Sequence, residues 1–197
     1  MIIVTYPQQI PNETEIINAL FDEGLETLHL RKPELNKEQL IEFISKIDNC
    51  FQSRIMLHNH YELLDSFGLK GLHFTEKTKN LLPYYDYIHC TKSMAMHELD
   101  ELKSLHPTVN YIVLSPLFPS VSKEGYSKQW IFEEVRLGLE KKYSFDIVAL
   151  GGITLENVQK VKELGFHDFA LLGSIWEPVK AGCTVKEVTR IFNSFKR

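Results

Sequence analysis

Four groups of residues in this 197-residue chain could do chemistry together: Arg31 in "LHLRK", Ser120, Ser122 and Lys123 in "LSPLFPSVSK", Gly151 and Gly152 in "LGGIT", and Gly173 and Ser174 in "LLGSIW". Backbone N–H groups at helix N-termini, which glycine lets a ligand approach closely, hold phosphate when hydroxyl donors and a lysine charge stand nearby. The planar fork of Arg31 suits phosphate or carboxylate, and a structural ion pair with Glu34 or Glu76 is the competing reading for it. Five of the eight histidines, His29, His58, His60, His73 and His89, are crowded between residues 29 and 89. The His58-x-His60 spacing would suit zinc if both rings shared a strand face. No acidic ligand accompanies them at the end of a late strand, so hydrogen-bonded core or pocket histidines are the expected state.

Those groups need elements to bring them to one place. Short β-branched runs at 2–6, 27–31, 54–58, 71–75, 87–91, 111–115, 147–151 and 168–173 alternate with amphipathic stretches. "NETEIINALFDEG" opens on Asn12 with Glu15 three positions on and closes on Gly24. "NKEQLIEFISKIDNC" opens on Asn36, and "TLENVQKVKELG" runs from Thr154 to Gly165. Strand-helix alternation predicts parallel strands with right-handed crossovers, and eight units predict a small (β/α)8 barrel, with an open doubly wound sheet as the alternative. A helix near 78–84 is expected to be little more than a turn. In a barrel the strand C-termini converge on one mouth, which would collect His29, Arg31, His58, Asn59, Thr75, His89, Thr91, Ser115 and the phosphate elements. The long segment 116–127 is then a binding loop on that rim.

Composition narrows the partners. A net charge of −4, with no Lys/Arg run, lacks the basic excess of nucleic-acid binders. The N-terminal apolar run is too short for a membrane span or a signal peptide. Three scattered cysteines form neither a disulfide framework nor a C-x-x-C unit, which fits a reducing cytoplasm. One domain over 1–197 is expected, and the oligomeric state stays open.

Read in order, these motifs resemble the thiamine-phosphate synthase and thiazole tautomerase family. "LHLRK" resembles its Q-x-R-x-K element, "MLHNHYELLDSFGLKGLHFTE" its I-N-D-x-x-x-L-A...G-x-H-L-G segment, and "LSPLFPSVSK" its G-P-x-F-x-T-x-[ST]-K. "VALGGI" and "ALLGSIW" resemble its closing phosphate elements. The resemblance implies an enzyme of thiamine biosynthesis that joins hydroxymethylpyrimidine pyrophosphate to thiazole phosphate with Mg2+, through a pyrimidine methylene cation attacked by the thiazole nitrogen. It implies that Gly152 and Ser174 hold the thiazole phosphate, that Ser120, Ser122 and Lys123 contact pyrophosphate or the thiazole side, and that Arg31 neutralises the leaving pyrophosphate. Asn59 and Thr78 stand where the family carries its magnesium-binding aspartates, and His29 and His58 stand at its Gln and Asn. Pro33 takes its lysine position, with Lys32 one place off. The loss of both carboxylates implies weakened magnesium binding. The metal-independent tautomerase implies a catalytic histidine just after strand five, a position that falls on Ser93 with the strand at 87–91; His89, His97, His58 or His29 could substitute. A non-catalytic phosphate-ligand binder is the third reading.

Overall fold

The computed structural model describes residues 1–104, 107–119 and 130–196. Eight strands form a closed parallel barrel in the order β1 to β8, the (β/α)8 architecture that the strand-helix alternation predicts. They are β1 (Ile2–Val4), β2 (Thr27–Leu30), β3 (Ile55–Leu57), β4 (Gly71–Phe74), β5 (Thr91–Met96), β6 (Tyr111–Leu114), β7 (Asp146–Leu150) and β8 (Asp168–Leu171). The chain groups into two compact units, Met1–Leu72 with Leu171–Arg197, and His73–Ala170.

In the first unit, β1 pairs with β2 and β2 with β3 in parallel register, Val4 opposite His29 and His29 opposite Met56. These strands are buried throughout, as covered parallel strands must be. Helices α1 (Glu13–Asp22), α2 (Lys37–Ser45), α3 (Asn49–Gln52), α4 (Leu63–Phe67), α7 (Gly173–Lys180) and α8 (Val185–Phe195) belong to this unit. Asn36 closes a capping box with Gln39, as the sequence predicts, and Thr184 does so with Glu187. Asn12 behaves differently. Its backbone is left-handed and its side chain makes no cap bond, because the next residue, Glu13, is drawn into the interior to meet Lys32.

The second unit holds β5 to β7, half of β4 and most of β8, with α5 (Phe132–Leu139) and α6 (Val158–Leu164). After β4 there is only a 3-10 turn, Lys79–Tyr85, containing Pro83, which matches the short element expected there. Strand five lies further on than 87–91. The aromatic and β-branched run "YIHCT" has strand composition, yet the ladder starts at Thr91 and pairs Ser93 with Tyr111 and Met96 with Leu114. Polar residues are tolerated inside it because they are bonded: Lys92 Nζ donates to the Ile88 carbonyl at 2.7 Å, and Ser93 Oγ lies 2.8 Å from His73 Nδ1. Thr154 does not cap α6. Its N–H bonds Asn157 Oδ1 at 2.8 Å, and Asn157 is the residue before the helix.

Past β6 the chain keeps pairing with β7: Leu117 N–H bonds the Leu150 carbonyl at 2.9 Å and Phe118 N–H the Gly151 carbonyl at 3.1 Å. Gly151 and Gly152 have φ of 105° and 63°, and a Cβ on either would sit 2.8 Å from Pro116 or 2.6 Å from the Pro119 carbonyl oxygen. Both conformation and space therefore exclude a side chain. Gly152→Ala is expected to lose about 2–4 kcal/mol of stability, combining left-handed strain with a main-chain clash. Urea unfolding of the variant beside the parent checks it.

Candidate functional site

The rim ends of β1, β2 and β3 are joined through one residue. Lys32, two residues past β2, is fully buried, and its ammonium donates to the carbonyls of Tyr6 at 2.7 Å and Gln8 at 2.8 Å and to the Glu13 carboxylate. Its own carbonyl accepts from Asn59 Nδ2 at 3.4 Å and from Leu35 N–H at 3.3 Å. Burial pushes the Glu13 carboxyl above its ordinary range, and the hydrogen bond and charge of Lys32 oppose this; burial likewise pushes the Lys32 ammonium down against the pull of Glu13. Next to it, Thr5 Oγ1 accepts from Arg31 N–H at 2.8 Å and donates to the Arg31 carbonyl at 3.1 Å. The Arg31 peptide is thus held on both sides while its side chain is exposed. Neither Glu34 nor Glu76 forms an ion pair with it among the described residues; Glu76 pairs with Lys79. Lys32, one place from the family's lysine position, is spent on the scaffold.

Of the predicted histidines, His29 and His58 meet and His60 turns away. His29 is buried within β2 and its Nδ1 lies 3.0 Å from Nε2 of His58, with the rings edge to face. His60, in a left-handed conformation, instead puts Nε2 3.3 Å from the Leu35 carbonyl. His58 and His60 therefore look to different partners and make no chelating pair. His89 and Thr91 are corrected outright. They stand before and at the first residue of β5, so the C-terminal end of that strand lies about 16 Å further along the chain, and they do not reach the mouth. With β5 ending at Met96, the position just after strand five is His97, not Ser93. His97 Nδ1 lies 2.6 Å from the carbonyl of Ser115 at the end of β6. A carbonyl can only accept, so Nδ1 carries the proton and the neutral ring keeps its lone pair on Nε2. Strand composition hid this residue, because "YIHCT" reads as a better strand than "TKSMAM".

Gly173 and Ser174 form the first turn of α7, and Leu172 before them supplies no side-chain cap. The helix is fixed by Trp176, fully buried, whose Nε1 donates to the Val4 carbonyl at 2.7 Å. Gly151 and Gly152 are glycines first because the main chain of residues 116–119 packs on them. Ser120, Ser122 and Lys123 lie outside the described residues. On the far side of that segment, Trp130 Nε1 donates to the Pro116 carbonyl at 2.6 Å.

Neither Asn59 nor Thr78 offers a carboxylate. Asn59 Oδ1 is buried without a hydrogen-bond partner among the described residues and could accept from a ligand. Thr78 Oγ1 is engaged in its own turn, accepting from Thr75 N–H at 2.9 Å. Both are neutral, whereas Mg2+ is held through carboxylates.

Residues 1–175 match the family model described as thiamine monophosphate synthase. The chain belongs to that family. It is thereby an enzyme of thiamine biosynthesis, of the transferase class. A solved thiamine phosphate pyrophosphorylase from Bacteroides thetaiotaomicron is 30% identical with a TM-score of 0.82, covering 100% of this chain and 95% of that one. The thiamine-phosphate synthase of Photorhabdus laumondii is 27% identical over 167 residues, 81% of this chain and 76% of the relative. A Pyrococcus furiosus thiamine phosphate pyrophosphorylase shares the fold, with a TM-score of 0.77 at 14% identity over 99% of this chain and 94% of that one. Among the described residues no helix is long and apolar enough to cross a membrane.

The buried pair makes a signed prediction. Lys32→Met strands the Glu13 carboxylate, at an expected cost of about 3–5 kcal/mol near neutral pH. The folded-state carboxyl is raised above 4.5, so above that pH the unfolded chain sheds its proton first and ionisation favours unfolding. The deficit of the variant relative to the parent therefore shrinks as pH falls from 7.5 toward 4.5. Denaturant unfolding of both proteins across that range measures it.

Proposed function

We propose that this enzyme joins hydroxymethylpyrimidine pyrophosphate to thiazole phosphate. The observation that carries the reading is Arg31: a guanidinium left exposed, with no ion pair among the described residues, on a peptide held at both its N–H and its C=O. Such a preorganised cation stabilises the charge that develops as the pyrimidine methylene to oxygen bond breaks and pyrophosphate departs. The thiazole nitrogen then forms the new C–N bond with the methylene cation. The thiazole phosphate is assigned to the amides heading α7, Gly173 and Ser174. Asn59 Oδ1, a buried acceptor, is available to a donor on the pyrimidine side. The expected contacts of Ser120, Ser122 and Lys123, with pyrophosphate or the thiazole side, lie outside the described residues. Any magnesium the reaction uses arrives with the diphosphate rather than in a carboxylate site of the protein.

His97 supports a second reading, a proton transfer on a thiazole carboxylate phosphate, because the Ser115 carbonyl fixes its tautomer with Nε2 as the basic atom. The two separate in one assay. Purified protein given both substrates and Mg2+ should release thiamine phosphate and pyrophosphate; if it releases neither yet interconverts thiazole tautomers, and His97→Asn stops that, the second reading replaces the first. For the first, Arg31→Ala should lose about 1.5–3 kcal/mol of transition-state binding, roughly 10- to 150-fold in kcat/KM for the diphosphate.

A further inference from the structure

We infer that the Glu13–Lys32 pair is a positioning device for Arg31 and Asn59, and so sets the affinity of the site for the diphosphate. This rests on the assignment of Arg31 to that group. Five hydrogen bonds tie the β1 end to the β2 end: Thr5 N–H to His29 O, two between Thr5 Oγ1 and the Arg31 peptide, and two from Lys32 Nζ to Tyr6 O and Gln8 O. The Lys32 carbonyl adds the β3 end through Asn59. Glu13 supplies the countercharge from α1, so the scaffold cation is neutralised inside the fold while the neighbouring guanidinium is left for an external anion. Lys32, being fully buried, touches no substrate. Its effect passes through the backbone of Arg31 and the amide of Asn59, whose Oδ1 is one of two buried side-chain atoms without a hydrogen-bond partner among the described residues; the other is Oε1 of Glu13 itself.

The test is a mutant cycle read by titration calorimetry with inorganic pyrophosphate and, separately, with inorganic phosphate. The proteins are the parent, Arg31→Ala, Lys32→Met with Glu13→Leu, and all three changes together. Removing both charges avoids a stranded carboxylate. The expected result is a loss of pyrophosphate affinity of about tenfold in the Lys32/Glu13 variant, a change in phosphate affinity below about twofold, and less than about twofold further loss when the pair is removed from Arg31→Ala. Equal losses for both anions, or losses that multiply with Arg31→Ala, mean a general structural role and overturn the inference. So does an unchanged pyrophosphate affinity. If the double exchange does not fold, Thr5→Val removes the hydroxyl that holds both sides of the Arg31 peptide and must show the same selective loss, an unchanged affinity again being decisive against it. Should Arg31→Ala itself bind pyrophosphate normally, the Arg31 assignment fails first and the positioning role goes with it. Thiamine phosphate formation by the parent is scored independently, so the reaction and the positioning device can fail separately.

Discussion

An ammonium in an apolar interior is tolerated only when oxygen atoms replace its water, and Lys32 has three such oxygens around it. Much of the first unit's rim follows from that requirement. Two of the oxygens are carbonyls of the β1–α1 segment, so satisfying the charge also fixes the path of that segment. The third belongs to α1, and drawing Glu13 inward explains why Asn12 forgoes the capping role its sequence context suggests. A buried pair of this kind does not raise stability over a well-packed apolar substitute, since desolvation consumes most of the attraction. Its retention is better understood through what it holds still.

That arrangement divides the labour between adjacent cations. Arg31 and Lys32 are consecutive, yet one is exposed and the other sealed, and the peptide between them transmits the order of the second to the first. A preorganised donor loses less on meeting its anion than a flexible one, because the conformational cost is already met in folding. Asn59 and Thr78 bring no carboxylate of their own, so under the proposed reaction fixed protein charge and amide dipoles are what these residues offer a departing diphosphate.

The barrel was legible in the sequence because eight apolar runs alternate with capped amphipathic stretches, and the Asn36 box and Gly165 stop formed where the residues said they would. The late glycines were legible as places of close approach, though the neighbour that exploits them is the chain's own loop. Strand five was not legible, since "YIHCT" has the better strand composition and the true strand carries lysine and serine. Only three-dimensional partners, His73 for Ser93 and the Ile88 carbonyl for Lys92, make those residues acceptable inside. That slip of register moved His89 and Thr91 away from the mouth and brought His97 to it. Lys32 could not be read either, because nothing local announces that a lysine will be buried; its partner lies 19 residues away on another element.

The indole of Trp130 reaches back to the carbonyl of Pro116, so the chain between them is a closed circuit whose two feet stand on the same spot. For such a circuit the entropic cost of extra length rises only with its logarithm, by about 0.6 kcal/mol per doubling. A change of length between these two residues would therefore cost little so long as the indole keeps its carbonyl, which makes Trp130 a pin for evolutionary change rather than for motion.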